Sequence, residues 1–171
     1  PEGQWATDNL AISADGEYLV GTANFIEDGS DGGKIYFFGK DSSSPLWSYT
    51  TSTYTTAISI SADGNYIAVG ILSSASYEFS FFGKNSATPL WGYSTDADVT
   101  AVSVSANGKY VAVSSDDDKV NVFDKDGNNI WSFEADWDIS SIEFSANGEY
   151  LSVGSQGKGY LLSLIHISEP T

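Results

Sequence analysis

The 171-residue chain contains no cysteine, no methionine and no arginine, and its one histidine is His166. Without cysteine there is no disulfide, haem thioether or thiolate metal site, and the redox compartment stays open because disulfide-free proteins occur everywhere. With no cysteine, and with the single histidine in a terminal segment that breaks the sequence pattern, no Ser-His or Cys-His pair is expected to activate a nucleophile. No Gly-Lys-Ser loop is present to cradle phosphate, and no apolar run reaches the roughly 18 residues of a membrane span. The chain opens at Pro1 with neither an initiating methionine nor a secretory signal, so further native sequence is expected before it. Charge is scarce at 18% of residues, and it is one-sided: 23 acids against seven lysines give a net charge of −16. Phosphate backbones and anionic lipid heads repel such a chain, which makes nucleic acid and membrane poor partners.

What the chain has is apolar material and repetition. Hydrophobic residues make up 41% and aromatic residues 14%, ample for a packed core. The tetrapeptide Ser-Ala-Asp/Asn-Gly occurs four times, beginning at Ser13, Ser61, Ser105 and Ser145, and each copy leads into a tyrosine-containing apolar run. Successive starts lie 48, 44 and 40 residues apart, the period of a four-stranded propeller blade. The third repeat reads most clearly. Segments 99–105 and 109–115 alternate through Val102, Val104, Val111 and Val113, joined by the tight turn that Asn107-Gly108 allows. Segments 119–124 and 129–135 follow, joined by Asp126-Gly127. The expected fold is therefore all-β, a propeller sector of four-stranded antiparallel blades, three complete plus a partial fourth. Trp47, Trp91 and Trp131, alternating with Tyr49, Tyr93 and Phe133 in the outermost strands, are expected in the core. A sector exposes two flanks, so self-association through them is expected.

Residues 162–171 break the repeat. They resemble the translation of a transposase mosaic-end adaptor used in sequencing libraries, which implies a native repeat domain at 1–161 and read-through at 162–171. His166 goes with that segment, and without Glu169 the charge is still −15. The alternation of Leu162, Leu164 and Ile165 could nonetheless extend a strand.

The Ser-Ala-Asp-Gly-x-Tyr run and the Gly-Lys-Asp-Ser-Ser turn followed by Pro-Leu-Trp resemble WD-repeat and quinoprotein-like (PQQ-like) propellers, above all the regular repeat proteins of archaea and environmental prokaryotes. The resemblance covers residues 1 to about 161. It implies scaffolding or surface binding, less often an enzyme, and an extracytoplasmic or cell-surface location. Two family marks are missing: no Gly-His pair precedes a first strand, and Phe38-Gly39, Phe82-Gly83 and Phe123-Asp124 stand where Trp-Asp would end a third strand.

In an up-and-down meander the first-to-second and third-to-fourth turns share one end of the sheets, and the remaining connections share the other. The first end carries near-identical turns; the second carries connections of unequal length, expected at 23–33, 71–77, 115–118 and 155–157. Variable loops on a rigid scaffold are where binding resides. The second end also gathers Asp8, Asp28, Asp96, Asp98, Asp117 and Asp138, among other acids, an arrangement suited to a basic partner or to simple hydration. Trp5, Tyr54, Asp98 and Trp137, in the connections between repeats, are the candidate partner-binding residues, because an aromatic beside acids can stack on a peptide, a sugar or a quinone ring. The oxygen-rich segments 28–33 and 124–128 suit turns rather than calcium loops, so no metal site is assigned.

These features lead to a noncatalytic binding or scaffold domain that engages a protein, glycan or surface polymer through an acidic loop face, with no cofactor and no catalytic residue. The alternatives are part of a quinoprotein-like dehydrogenase holding PQQ over calcium, and a purely structural spacer.

Overall fold

The computed structural model describes residues 6–27, 29–72, 77–155 and 158–163. They form four antiparallel sheets and no helix. The first holds β1 (Ala6–Ile12), β2 (Tyr18–Glu27), β3 (Ser30–Gly39) and β4 (Trp47–Thr51). The second holds β5 (Thr55–Ile60), β6 (Tyr66–Ile71), β7 (Tyr77–Gly83) and β8 (Pro89–Thr95). The third holds β9 (Val99–Val104), β10 (Tyr110–Ser115), β11 (Lys119–Asp124) and β12 (Asn129–Glu134). The fourth holds β13 (Ile139–Phe144), β14 (Tyr150–Ser155) and β15 (Lys158–Ser163). In every sheet the strands pair in chain order, so each is a simple meander. The inner strands β1, β5, β9 and β13 neighbour one another in sequence. This is a sector of β-propeller blades, three of four strands and a fourth with three described strands.

The repeated tetrapeptide builds a turn longer than a two-residue hairpin. The Ser13 N–H donates to the Tyr18 carbonyl at 2.9 Å across four intervening residues, and the Gly16 N–H donates to the Ser13 carbonyl at 2.9 Å. The side chains close the loop: Ser13 Oγ donates to Asp15 Oδ1 at 2.6 Å and accepts from the Tyr18 N–H at 3.0 Å. The same pair forms at Ser61 with Asp63, Ser105 with Asn107 and Ser145 with Asn147, at 2.7, 2.9 and 2.7 Å. Serine and Asx residues favour such turns because their short side chains satisfy nearby backbone groups. The Ser13 hydroxyl and then the Glu17 N–H hold the Asp15 carboxyl below its ordinary range.

Three apolar clusters lie between the sheets rather than within them. Val20, Ile35 and Phe37 meet Ile67, Val69 and Phe82; Phe79 and Phe81 meet Val102, Val104 and Phe123; Val120 and Val122 meet Ile142, Phe144 and Leu151. The second and third sheets therefore bury both faces, and each junction shelters the neighbour's apolar side. Polar links recur at the junctions. Trp47 Nε1 donates to the Lys84 carbonyl at 2.8 Å and Trp91 Nε1 to the Lys125 carbonyl at 2.9 Å. The Ala14 N–H donates to the Ala62 carbonyl at 3.0 Å, and the Ala62 N–H to the Ala106 carbonyl at 3.1 Å. The tryptophans of the outermost strands are thus half-buried against the core, with the indole N–H of Trp47 and of Trp91 tied to the next blade.

One expected loop is instead a strand pair. Residues 23–33 extend β2 and β3 into a long hairpin, with Asn24 opposite Gly33, Phe25 opposite Gly32 and Glu27 opposite Ser30. Glycine and aspartate density reads as a loop, but here glycine makes room: a Cβ on Gly32 would lie 2.5 Å from the Phe25 ring. An aromatic ring covering a strand glycine is a packing reason for that residue. At the other end of the chain, β15 crosses the expected 161/162 boundary, pairing Leu162 with Leu151 and Ser163 with Tyr150.

Candidate functional site

The ends of the sheets differ as the meander requires. Connections between second and third strands run from residues 28–29 to 72–76, 116–118 and 156–157, and those between blades occupy 52–54, 96–98 and 135–138. Glu27, Asp31, Asp96, Asp116, Asp136 and Asp138 are exposed at this end. Lys34 lies 5.4 Å from the Tyr36 ring centre, a cation–π contact.

The structure places Tyr54 immediately before β5 and Asp98 immediately before β9, and each carbonyl there ties down a loop of its own blade. The Leu72 N–H donates to the Tyr54 carbonyl at 2.7 Å and the Asp116 N–H to the Asp98 carbonyl at 2.9 Å. Trp137 stands one residue earlier in its junction, where Asp138 takes the place matching Tyr54 and Asp98. Its side chain is 54% exposed, the largest exposed aromatic surface among the described residues. Tyr54, Asp98 and Trp137 therefore occupy three successive junctions on one end of the sector, not one pocket. Trp5 lies outside the described residues, as does Asp28.

Tyr54 is anchored. Its hydroxyl donates to Asp31 Oδ1 at 2.5 Å, and that hydrogen bond, with burial and the Asp31 charge behind it, raises the phenol above its ordinary value. Asp31 could not be foreseen as its partner, because the hairpin that carries it read as a loop. Asn24, on the same hairpin, was missed for the same reason. Its Nδ2 donates to the Thr55 carbonyl at 3.0 Å, and its Oδ1 accepts from the Thr55 N–H at 2.8 Å and the Thr55 hydroxyl at 2.9 Å. Such a clamp fixes the entry to β5, and with it the position of Tyr54.

The acids concentrate around Asp116-Asp117-Asp118. This loop is held on both sides, by the Asp98 carbonyl and by the Ala135 N–H donating to the Asp118 carbonyl at 2.8 Å. Asp118 has φ 63°, the one non-glycine residue with positive φ among those described, a conformation Asp tolerates better than most. Asp98 Oδ1 and Asp118 Oδ1 are buried without a hydrogen-bond partner. Lys119 answers part of this charge, with Nζ 2.9 Å from Asp117 Oδ2 and 3.4 Å from Asp96 Oδ2. Burial raises the Asp117 carboxyl, but hydrogen bonds from Ser115 and Lys119 outweigh it and the net shift is downward. Asp116 has no such partner: burial first, then the charges of Asp98, Asp138, Asp118 and Asp117, push it up. Among the described residues no three acids or histidines converge closely enough to hold a metal ion.

Asp116 makes a pH prediction. Its folded value is raised, so the folded protein binds this proton more tightly than the unfolded chain, and stability falls as pH rises from the ordinary 3.8 through the raised value. Asp116→Asn should then raise the melting temperature at neutral pH by the equivalent of a few tenths of a kcal/mol, about what a solvent-screened surface charge contributes. The gain should vanish below the ordinary 3.8, where Asp116 is protonated in both states, and should shrink in high salt. Differential scanning calorimetry from acid to neutral pH checks it; an equal gain at every pH would mean that charge is not the cause.

The opposite end carries two equivalent shallow grooves, of about 310 Å³ beside Tyr66, Lys84 and Leu90 and about 300 Å³ beside Tyr18, Lys40 and Leu46. They repeat with the turns and lie away from the candidate residues.

Residues 86–124 match the family model of the WD domain, G-beta repeat. The match begins before β8 and ends with β11, so the sequence unit joins the outer strand of one blade to three strands of the next. No curated protein matches the chain. With the four sheets, the match marks a WD-repeat-like tandem β-propeller sector, an architecture that suggests a noncatalytic protein-interaction or scaffold domain.

Proposed function

We propose that this sector is a noncatalytic interaction domain that takes a lysine-rich protein segment on its acidic loop end. The carrying observation is the contrast between the two ends: one is a set of near-identical closed turns, the other a set of irregular loops that expose Asp96, Asp116 and Asp136 together with the half-exposed Trp137. Scaffold-held loops of this kind supply binding surfaces. Fixed acids attract a basic segment over several ångströms, and an exposed indole gives a lysine or arginine side chain a face to stack on. Tyr54 and Asp98 contribute differently. The first is bonded to Asp31 and the second supports the Asp116 loop through its carbonyl, so both shape the surface as well as meeting the partner. Trp5 belongs to the same proposed surface by its place in the repeat.

Binding of a fluorescent lysine-rich peptide, followed by anisotropy, tests the reading. Trp137→Ala and a combined Asp96→Asn, Asp136→Asn variant should each weaken binding about threefold to fivefold, as rim groups contributing up to about 1 kcal/mol do. Affinity should fall as salt rises. A peptide that does not bind, or binds equally well to both variants, overturns the proposal.

A further inference from the structure

The four repeated turns share one hydrogen-bond pattern but not one residue. At the third position the first two copies carry Asp15 and Asp63, and the last two carry Asn107 and Asn147. In each turn this side chain's Oδ1 accepts from the turn serine's hydroxyl and from the N–H two residues on. The distances are 2.6 and 3.0 Å at Asp15, 2.7 and 3.0 Å at Asp63, 2.9 and 3.0 Å at Asn107, and 2.7 and 3.1 Å at Asn147. The glycine that follows has positive φ in all four and donates its N–H to the serine carbonyl, at 2.8 Å for both Gly108 and Gly148. An acid and an amide thus fill one place in one turn.

An asparagine followed by glycine is also reactive, because a residue without a side chain leaves its amide nitrogen open to approach. That nitrogen bonds to the asparagine side-chain carbonyl carbon and closes a five-membered imide. The side-chain nitrogen leaves as ammonia, taking the glycine amide proton with it, and water then opens the imide to aspartate or, at the other carbonyl, to isoaspartate. Closure requires the glycine N–H to leave the serine carbonyl, Oδ1 to leave its two donors, and the peptide unit between the two residues to rotate. Both folded turns resist the first two steps equally; rotation separates them. At Gly108 the Tyr66 ring lies where a Cβ would stand, its nearest atom 2.4 Å away, and Tyr66 is itself stacked on the buried Phe81 at 5.4 Å between centres. Gly108 cannot turn without driving that ring against the core. At Gly148 the nearest atoms are Ser105 Cβ at 3.4 Å and the Asn107 amide at 3.8 and 3.9 Å, ordinary contacts with the ends of short side chains. Those same contacts pack the Asn107 amide against the turn of the fourth sheet. Asn147 Nδ2 donates to Glu149 Oε2 at 2.6 Å, an exposed bond that holds the leaving nitrogen rather than the carbon under attack.

We propose that Asn147 is a site of spontaneous modification, losing its side-chain amide in the folded protein, and that Asn107, in the same dipeptide, is shielded from this reaction by Tyr66. Both asparagines are exposed, so water reaches either one. The aspartate product is accommodated because it takes the place that Asp15 and Asp63 already hold. At Asp15 the Ser13 hydroxyl and the Glu17 N–H keep the carboxyl below its ordinary range, and hydrogen bonds to an ionised acceptor are stronger than those to an amide. The turn end of the sector therefore gains one negative charge without a change of turn. Isoaspartate does not fit in this way, since it adds a methylene to the main chain of a turn closed by the Ser145 N–H on the Tyr150 carbonyl at 2.9 Å. The site lies at the opposite end from the acidic loops, so this inference and the lysine-peptide reading succeed or fail separately.

Incubation of the whole chain at mildly alkaline pH, sampled over time and cleaved after lysine, is the test. Peptides 85–109 and 126–158 then report Asn107 and Asn147 separately by mass spectrometry with fragmentation. In the folded chain Asn147 should convert at least about fivefold faster than Asn107, the rate equivalent of the smaller overpacking cost. In concentrated urea the two rates should converge. Tyr66→Leu removes the ring but keeps an apolar side chain against Phe81, and it should accelerate Asn107 alone; Tyr66→Phe keeps the ring and should leave both rates as they are. Circular dichroism confirms that each variant folds. Asn147→Asp should melt no lower than the native chain. Equal rates in the folded chain, or a faster Asn107, overturn the proposal. A ratio that persists in urea does so too, because it places the difference in the local sequence, as does an equal rise at both sites in Tyr66→Leu or a lower melting temperature for Asn147→Asp.

Discussion

Replacing Phe81 with alanine is expected to remove about 3–5 kcal/mol of stability, the range for truncating a buried aromatic. Phe81 is 0% exposed on β7 and sits at the centre of the second junction. Its ring stacks on Tyr66 at 5.4 Å between centres and packs on Trp91 at 5.1 Å and Phe79 at 6.5 Å. Alanine leaves a cavity walled by strands on both sides, and antiparallel ladders cannot close around it without breaking hydrogen bonds. Against a total of about 5–15 kcal/mol for a typical domain, such a loss takes a large share. Because Phe81 lies between the second and third blades, it should also uncouple the two halves of the sector, since a repeat array is held by nearest-neighbour interfaces. Urea denaturation followed by tryptophan fluorescence and circular dichroism should show a lower midpoint and two probes that no longer coincide. A cost below about 1 kcal/mol would mean that the junction relaxes into the space.

The second large effect is expected at Gly108, and it separates two reasons for one glycine. Gly108 and Gly148 occupy the same turn in neighbouring repeats, with φ of 67° and 71°. Alanine at either position bears the left-handed penalty, about 1–2 kcal/mol. The surroundings differ. A Cβ on Gly148 would meet Ser105 at 3.4 Å, an ordinary contact, whereas on Gly108 it would lie 2.4 Å from the Tyr66 ring. Tyr66 cannot swing away freely, because it stacks on Phe81. Gly108→Ala should therefore cost about 1–3 kcal/mol more than Gly148→Ala, the usual penalty for overpacking. Equal losses in chemical denaturation would show that the ring moves aside and that only backbone conformation matters.

Most of the architecture was legible because it depends on local chemistry. Alternation over residues 119–124 matches β11 at both ends, and the strand starts at Val99 and Asn129 also coincide. The tetrapeptide marks every first turn, since its serine and Asx side chains bond within the turn itself. Residues 23–33 failed for the complementary reason. Their glycines answer to Phe25 and to Thr51 of the neighbouring strand, where a Cβ on Gly33 would lie 2.5 Å from Oγ1, and a partner across the sheet leaves no mark in the local pattern. Tyr54 and Trp137 stand out in the sequence as aromatics beside acids, but the Asp31 bond to one and the exposure of the other do not.

Period, turn chemistry and the two-faced alternation of each strand belong to the chain as written, because backbone geometry and near neighbours dictate them. Which face is covered belongs to the fold. Leu10, Ile12, Val104 and Phe144 read alike in sequence, yet the first two stand in solvent and the last two are buried, because burial is conferred by the neighbouring blade. The loop acids follow the same division: their number is a fact of composition, whereas the raised proton affinity of Asp116 comes from its burial and from the acids brought around it, and the lowered one of Asp117 from the donors of Ser115 and Lys119.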